Sequence, residues 1–249
     1  MDTPSAKQLL GLDDAHVVRL PPEAVLGTVS LHPAAAEAFL PLRSEAARDG
    51  FDLRVVSGFR SFERQLLIWN AKARGERSLL DADERELDAS SLSAEACVLA
   101  ILRWSALPGA SRHHWGSDFD VVDAAALAPG VAPSLCVAEF AAGGMFARLG
   151  QWLEERLDRA PDACFFRPYD GTGNGVAREP WHLSYAPLSA RCEARFDPAQ
   201  LRDLLASSGL ALGETVDVLL EELIARFAQV DAARYPPTWR RLRAGLALA

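Results

Sequence analysis

The spacing of apolar side chains predicts an alternation of helices and short strands in the first part of the chain. Residues 33–48 begin with a proline and are rich in strong helix formers, which is typical of a helix. Residues 51–56 alternate apolar and polar positions, which favours a strand with one buried face. From Ser61, a residue suited to cap a helix, apolar side chains such as Leu66 and Trp69 recur at helical spacing.

The middle of the chain continues this mixture. Residues 76–92 are highly charged without a clear period, which indicates a surface excursion, and a helix is expected at about 93–104. Residues 111–122 are typical of a turn followed by a strand, and residues 144–158 carry the apolar face of a helix. A turn-rich loop then leads to residues 179–185, which alternate in the manner of a strand.

The end of the chain is helical in pattern. After Pro198 an apolar stripe that includes Val216 and Leu220 recurs at helical spacing. We therefore expect a main domain at residues 1–196 and, at residues 197–249, a helical extension packed on the core or on a partner subunit.

Composition and charge exclude some classes of partner. The 249-residue chain has a formal charge of −8, whereas binding to nucleic acid requires clustered Lys and Arg. No stretch approaches the ~18 uninterrupted apolar residues needed to span a bilayer. The first residues lack a basic segment followed by an apolar one, so the expected location is the cytoplasm, with periplasmic or wall-directed action left open.

Three of the five histidines, His113, His114 and His182, lie in two short segments rich in acids and aromatics. A catalytic zinc ion takes three protein ligands and keeps a fourth position for water. His113, Asp120 and His182 would supply that set for one Zn²⁺ ion.

Local geometry restricts how these residues meet. Because His113 and Asp120 are seven residues apart, a turn at Gly116 must reverse the chain between them. A bend at Pro180 would bring the Glu179 carboxylate towards the metal as a general base that is not itself a ligand.

Arg60 follows the first predicted strand, with Gln65 a helical turn beyond it. Its guanidinium would stabilise an oxyanion or clamp a substrate carboxylate, and both roles favour a substrate with a free C-terminus. Taken singly, these residues have simpler explanations. Arg60 is typical of a structural ion pair, and Trp181 is either a core aromatic or a substrate-binding surface.

The motifs together resemble the VanY-type D-alanyl-D-alanine carboxypeptidases, which belong to the zinc peptidases that share a fold with the hedgehog signalling domain. The resemblance covers roughly residues 30–188. It is carried by three blocks, namely Ser57-Gly58-Phe59-Arg60-Ser61 with Gln65, Ser111-x-His113-x-x-Gly116-x-x-x-Asp120, and Glu179-x-Trp181-His182-x-x-Tyr185.

The resemblance implies an α+β fold with a small central antiparallel sheet flanked by helices. It also implies His113, Asp120 and His182 as zinc ligands, Glu179 as the catalytic base and Arg60 as the group that polarises the scissile carbonyl. Ser111 and Gln65 match positions that hold the terminal D-residue of the substrate, and Trp181 is a further candidate for substrate binding.

One position departs from the family pattern. Asp118 stands where the family usually has Ala, on the same predicted strand face as Asp120. An acid there would recognise a substrate ammonium, bind a counter-cation or support a metal ligand. The first role is our hypothesis, so Asp118 joins the candidate substrate-binding residues.

The function that these expectations favour is hydrolysis of the terminal amide of a peptidoglycan stem peptide, with release of a D-amino acid. D,D-specificity is the family default, and an L,D-carboxypeptidase or a phage-type endopeptidase are variants. Non-haem iron oxygenases also use two histidines and a carboxylate, but their His-x-Asp spacing is absent. A non-catalytic zinc-stabilised binding module is a further alternative, although it would not need Glu179.

Overall fold

A computed structural model describes residues 3–158, 163–172 and 175–240. The helices are α1 (Ala6–Leu9), α2 (Pro33–Arg48), α3 (Phe62–Ala73), α4 (Ala94–Trp104), α5 (Val137–Phe140), α6 (Ala147–Leu153), α7 (Ala186–Arg195), α8 (Pro198–Ala206) and α9 (Gly213–Leu223). The strands are β1 (Val18–Arg19), β2 (Ser30–Leu31), β3 (Leu53–Ser57), β4 (Leu79–Leu80), β5 (Glu86–Leu87), β6 (Asp118–Asp123), β7 (Phe165–Phe166) and β8 (His182–Tyr185).

The main sheet is antiparallel and has the strand order β3-β6-β8-β7. Its register shifts between Val55 and Ser57 of β3, so that Ser57 pairs with Asp120 of β6. Such a bulge bends a strand and redirects its side chains. Arg60 lies three residues after Ser57, just beyond the end of β3.

The sheet packs against helices on a core of completely buried side chains. Phe39 of α2, Val55 of β3 and Phe119 of β6 belong to one apolar cluster with Leu153 of α6 and Leu183 of β8. This small antiparallel sheet flanked by helices confirms the predicted α+β class.

A second apolar cluster joins the central helices to the end of the chain. Trp69 of α3 and Ile101 of α4 pack in it with Leu201 of α8 and Leu220 of α9. The indole nitrogen of Trp69 also donates a hydrogen bond of 2.9 Å to the carbonyl of Ala211. Helices α8 and α9 therefore bury their apolar stripe against α3 and α4. Residues 241–249 of the expected extension lie outside the described residues.

The predicted elements are found with small differences at their ends. The helix expected at 33–48 is α2 with the same bounds, and the strand expected at 51–56 is β3. The helix expected at 144–158 begins later, at Ala147, and ends in a π-helical turn at Glu154–Asp158.

The charged excursion at residues 76–92 carries a structure that its pattern did not predict. It contains the two-stranded hairpin β4–β5, in which Leu79 is buried in the second cluster. Strands of two residues are too short to show the alternation on which sequence patterns depend.

The four cysteines are free thiols, and Cys97 and Cys192 are buried. None of the helices in the described ranges is long and apolar enough to cross a membrane.

Shortening Leu201 to alanine tests how α8 contributes to stability. Leu201 is completely buried, so Leu201→Ala is expected to lower the free energy of unfolding by about 2–5 kcal/mol through lost burial and a cavity. Urea denaturation followed by circular dichroism measures this loss. Val218→Ala is the matched control, because Val218 of α9 is 83% exposed and its loss should change stability by less than about 0.5 kcal/mol. Equal effects of the two substitutions would contradict this view of the packing.

Candidate metal centre

The pairing of β6 with β8 brings an aspartate and a histidine together. Asp120 and His182 are direct partners in this antiparallel register, so their side chains lie side by side on one face of the sheet. His182 Nδ1 is 3.3 Å from Asp120 Oδ1. Two residues that are 62 positions apart thus meet on rigid backbone.

His113 reaches the same place from a 3₁₀ turn, Arg112–Trp115, that precedes β6. The turn ends at Gly116, which has φ of 67°, and a Cβ there would lie 2.7 Å from the backbone nitrogen of His32. Only glycine meets both demands without strain. This is the chain reversal that the spacing of His113 and Asp120 required.

The three side chains form a compact and buried group. One potential ligand atom from each of His113, Asp120 and His182 lies within 4.8 Å of the others. His113 Nε2 is 3.8 Å from Asp120 Oδ2, and Asp120 Oδ1 is buried without a hydrogen-bond partner among the described residues. Two imidazoles and a carboxylate suit zinc, and the orphaned oxygen is consistent with a cation at this point.

Each histidine is fixed through its other ring nitrogen. His113 Nδ1 is 2.8 Å from the carbonyl oxygen of Gly58, and His182 Nε2 is 3.1 Å from Asp118 Oδ1. Carbonyl and carboxylate partners of this kind orient metal-binding histidines and set which nitrogen faces the ion. The arrangement leaves His113 Nε2 and His182 Nδ1 facing Asp120.

The charge states of the two rings differ. Burial lowers the pKa of His113 to about 4, which keeps this imidazole neutral. Burial acts in the same direction on His182, but the carboxylates of Asp118, Asp120 and Glu179 hold its pKa well above the ordinary value. Asp120 and Glu179 place negative charge beside His182 Nδ1, where a divalent cation would replace a proton.

Glu179 lies beside the triad because of a tight turn. The amide of His182 donates to the carbonyl of Glu179, closing a turn through Pro180 and Trp181. This bend places Glu179 Oε2 at 3.2 Å from His182 Nδ1, and the side chain keeps 14% exposure. A carboxylate that borders the metal position and still contacts solvent is suited to accept and return a proton.

Arg60 forms the opposite side of the centre. Its guanidinium donates to Gln65 Oε1 at 2.7 Å and to Ser57 Oγ at 3.3 Å, and its carbonyl is 2.5 Å from His114 Nδ1. The second nitrogen of His114 accepts from the amide of Gly109 at 3.0 Å. His114 therefore holds the backbone of Arg60 rather than a metal ion.

Gln65 is placed differently from the expectation of substrate contact. It is completely buried and uses its side chain to hold Arg60 and to donate to the carbonyl of Ala106 at 2.7 Å. Its amide has both an acceptor and a donor partner within the protein. The structure thus assigns Gln65 to the orientation of the Arg60 guanidinium.

The expectation that Asp118 recognises a substrate ammonium is wrong. Asp118 has no exposed surface, and its two oxygens are bonded to Arg112, Ser117 and His182. Burial alone would raise its pKa, but the charge of Arg112 and the contact with His182 hold that pKa well below the ordinary value. Asp118 lies two pairs along the register from Asp120, on the same face of the sheet, and contacts the other ring nitrogen of His182, so Asp118 supports a candidate ligand instead.

Arg112 is a residue of the site that the sequence did not reveal. It is buried and donates to Asp118 at 2.8 Å, to Ser184 Oγ at 2.8 Å and to Glu193, while the hydroxyl of Tyr235 lies 3.3 Å away. Its place between Ser111 and His113 was the available signal, but a single arginine at a turn gives no sign of burial. Tyr169, whose ring meets that of His182 at 5.0 Å, had no signal at all.

The other two candidates border a cleft of about 460 Å³ above the triad. Ser111 is buried, and its hydroxyl has no hydrogen-bond partner in the described part of the chain, which leaves it available to a ligand. Trp181 lines the cleft but is 95% buried and packs against Phe140 of the first apolar cluster. Most of its surface therefore serves the core rather than a substrate.

Comparison with known families identifies the family of the chain. The sequence model of the VanY D-alanyl-D-alanine carboxypeptidases matches residues 28–188, which is more than half of the chain. The chain belongs to the VanY family. The family that the three motif blocks resemble is thereby confirmed.

Two uncharacterized proteins of Haemophilus influenzae are similar in sequence. One is 43% identical over 101 residues, covering 41% of this chain and 68% of the relative. The other is 31% identical over 123 residues, covering 49% of this chain and 92% of the relative.

Two solved structures are similar at lower sequence identity. VanYB in complex with D-alanine-D-alanine is 22% identical, with a TM-score of 0.48, over 82% of this chain and 90% of that one. The LdcB LD-carboxypeptidase is 19% identical, with a TM-score of 0.48, over 86% of this chain and 79% of that one.

Neutralising Asp118 tests its role behind His182. Asp118→Asn is expected to weaken zinc binding about 10- to 100-fold, because the amide no longer provides a charged partner for His182 Nε2. Competition with a chromogenic chelator measures the affinity, and circular dichroism checks the fold. Asp123→Asn on the same strand is the control, since Asp123 serves backbone amides outside the cluster. An unchanged zinc affinity in Asp118→Asn would refute the assignment.

Proposed function

We propose that this member of the VanY family is a zinc-dependent carboxypeptidase that hydrolyses the terminal amide of peptidoglycan stem peptides and releases a D-amino acid. The observation that carries the proposal is the convergence of His113, Asp120 and His182 in a buried cluster with Glu179 beside it. A purely structural zinc site would be closed by a fourth ligand and would not need an adjacent, partly exposed carboxylate.

Zinc held by His113 Nε2, Asp120 and His182 Nδ1 would act as a Lewis acid and lower the pKa of water towards about 7. Glu179 takes up a proton from the attacking water and then returns it to the leaving amine. Its turn at Pro180 fixes the direction from which it acts. Glu179 is not counted among the ligands, because His113, Asp120 and His182 already provide the three protein ligands of a catalytic zinc site.

Arg60 stabilises the negative charge that develops on the scissile carbonyl oxygen. Its guanidinium is held in place by Gln65 and Ser57, neither of which carries a charge, so its positive charge remains available to the cleft. Preorganised donors of this kind lower the barrier because they need no reorientation during the reaction. The free hydroxyl of Ser111 on the cleft wall supplies a further donor for the terminal residue.

Substitution of the proposed base separates chemistry from metal binding. Glu179→Gln keeps the size of the side chain but cannot accept the proton, so hydrolysis is expected to fall by about 10²- to 10⁴-fold. Mass spectrometry of defined tetra- and pentapeptide muropeptides detects loss of one terminal residue. Zinc content is measured on the same samples and should stay at one ion per chain. Full activity in the variant would exclude Glu179 as the base, and cleavage within the stem would identify an endopeptidase.

Removal of the metal tests the cofactor. Dialysis against a chelator should abolish hydrolysis, and one equivalent of Zn²⁺ should restore it. Because zinc binds only the folded centre, the metal at 100 times its dissociation constant should also stabilise the fold by about 2.7 kcal/mol, seen as a higher melting temperature. Hydrolysis that persists without bound metal would disprove zinc dependence.

A further inference from the structure

The cleft has a cationic wall on the side of α3. Lys72 lies in the last turn of this helix and is partly buried, and Arg77 follows it as an exposed residue at the start of the charged excursion. Both line the same cleft as Arg60 and the metal triad. The side chains of Lys72 and Arg77 make no hydrogen bond or ion pair with any residue in the described ranges.

Two other cations near this wall, Arg74 and Arg112, form ion pairs, whereas Lys72 and Arg77 do not among the described residues. Arg74, two residues after Lys72, forms a 2.7 Å ion pair with Glu76, and Arg112 is bonded to Asp118 and Glu193. A partly buried ammonium without a partner is costly to keep charged. Lys72 nevertheless lies close to a second free cation.

The pKa of Lys72 reflects its burial and the positive charges close to it. Burial and the charges of Arg77 and Arg60 together lower the pKa of Lys72 to about 8, although Glu179 acts in the opposite direction. An anion on this wall would relieve the desolvation and the repulsion together. The wall is therefore suited to bind a carboxylate.

One carboxylate does not account for all of the available cations. Arg60 is oriented by Gln65 towards the scissile amide or the terminal carboxylate, as the proposed function requires. Lys72 and Arg77 remain for a different group of the same ligand. A lysine side chain placed here would meet two like charges, so the wall also disfavours a cationic substituent.

We propose that Lys72 and Arg77 bind a second carboxylate of the substrate, carried by the side chain of the diamino acid in the stem peptide. The subsite thereby selects stems that contain a diamino dicarboxylic acid over stems that contain lysine. This inference deepens the proposed function and rests on it for the identity of the peptide, while the carboxylate subsite itself rests on the two unpaired cations.

The charged segment at residues 76–92 supplies part of this wall. Arg77 belongs to the charged residues 76–92, and Ser78 and Leu80 of the same segment also line the cleft. None of the three motif blocks falls in this segment. The excursion thus adds a wall to a centre whose chemistry lies elsewhere.

The test compares synthetic stem peptides that differ only in the diamino acid, diaminopimelic acid or lysine, each with one and with two C-terminal D-alanines. Wild-type protein loaded with zinc should favour the diaminopimelic acid peptide by about tenfold or more in kcat/KM, as expected for a charged contact. Lys72→Met and Arg77→Gln should bring the ratio close to one by losing activity on that peptide alone. Arg74→Gln is the matched control and should keep the wild-type ratio, because Arg74 is already paired and lies outside the cleft.

Equal losses on both peptides would overturn the inference, since the pair would then bind the terminal carboxylate that the peptides share. A wild-type ratio near one would overturn it as well. Calorimetric binding of the same peptides to zinc-loaded Glu179→Gln separates the subsite from the reaction. Preferential binding of the diaminopimelic acid peptide without hydrolysis by wild type would uphold the subsite and reject the carboxypeptidase. Hydrolysis of both peptides with equal efficiency would support the carboxypeptidase and reject the subsite.

Discussion

The pairing of Asp120 with His182 across two antiparallel strands is the constraint on which the site depends. Opposite positions in such a pair place their Cβ atoms about 5 Å apart, which is the scale of a metal coordination sphere. The next pair on the same face of the sheet, Asp118 with Ser184, directs a second acid to the other nitrogen of the same imidazole. A slip of one residue would turn all four side chains to the opposite face of the sheet.

The charges gathered by this register require the buried network behind it. Asp118 is tolerated without solvent because Arg112 neutralises it, and Arg112 in turn is held by Glu193 of α7 and by Ser184. Removing one member of a buried pair leaves an uncompensated charge, which is far more costly than never having the pair. Tyr235 extends the network to the end of the described chain, where its hydroxyl lies 3.3 Å from both Arg112 and Ser189.

The cleft combines these fixed parts with walls from elsewhere in the chain. Strands β6 and β8 supply the floor, Arg60 follows the bulge of β3, and the segment at 76–92 adds Arg77. Phe227, which follows α9, borders the cleft from the C-terminal side. The centre therefore provides the chemistry, and segments without a motif shape the space in which a ligand is held.

Local sequence was enough to locate α2, β3 and the residues of the metal cluster. These features can be predicted from the sequence because they depend only on neighbouring residues. They are the helical periodicity, the strand pattern and the required turn at Gly116. The choice of candidate metal ligands followed from residue chemistry, because imidazole and carboxylate groups are typical zinc ligands. Which way Asp118 and Gln65 face was decided by the tertiary structure. Each has a partner far away in the sequence, His182 for Asp118 and the carbonyl of Ala106 for Gln65. A buried polar residue also has the same local pattern as an exposed one.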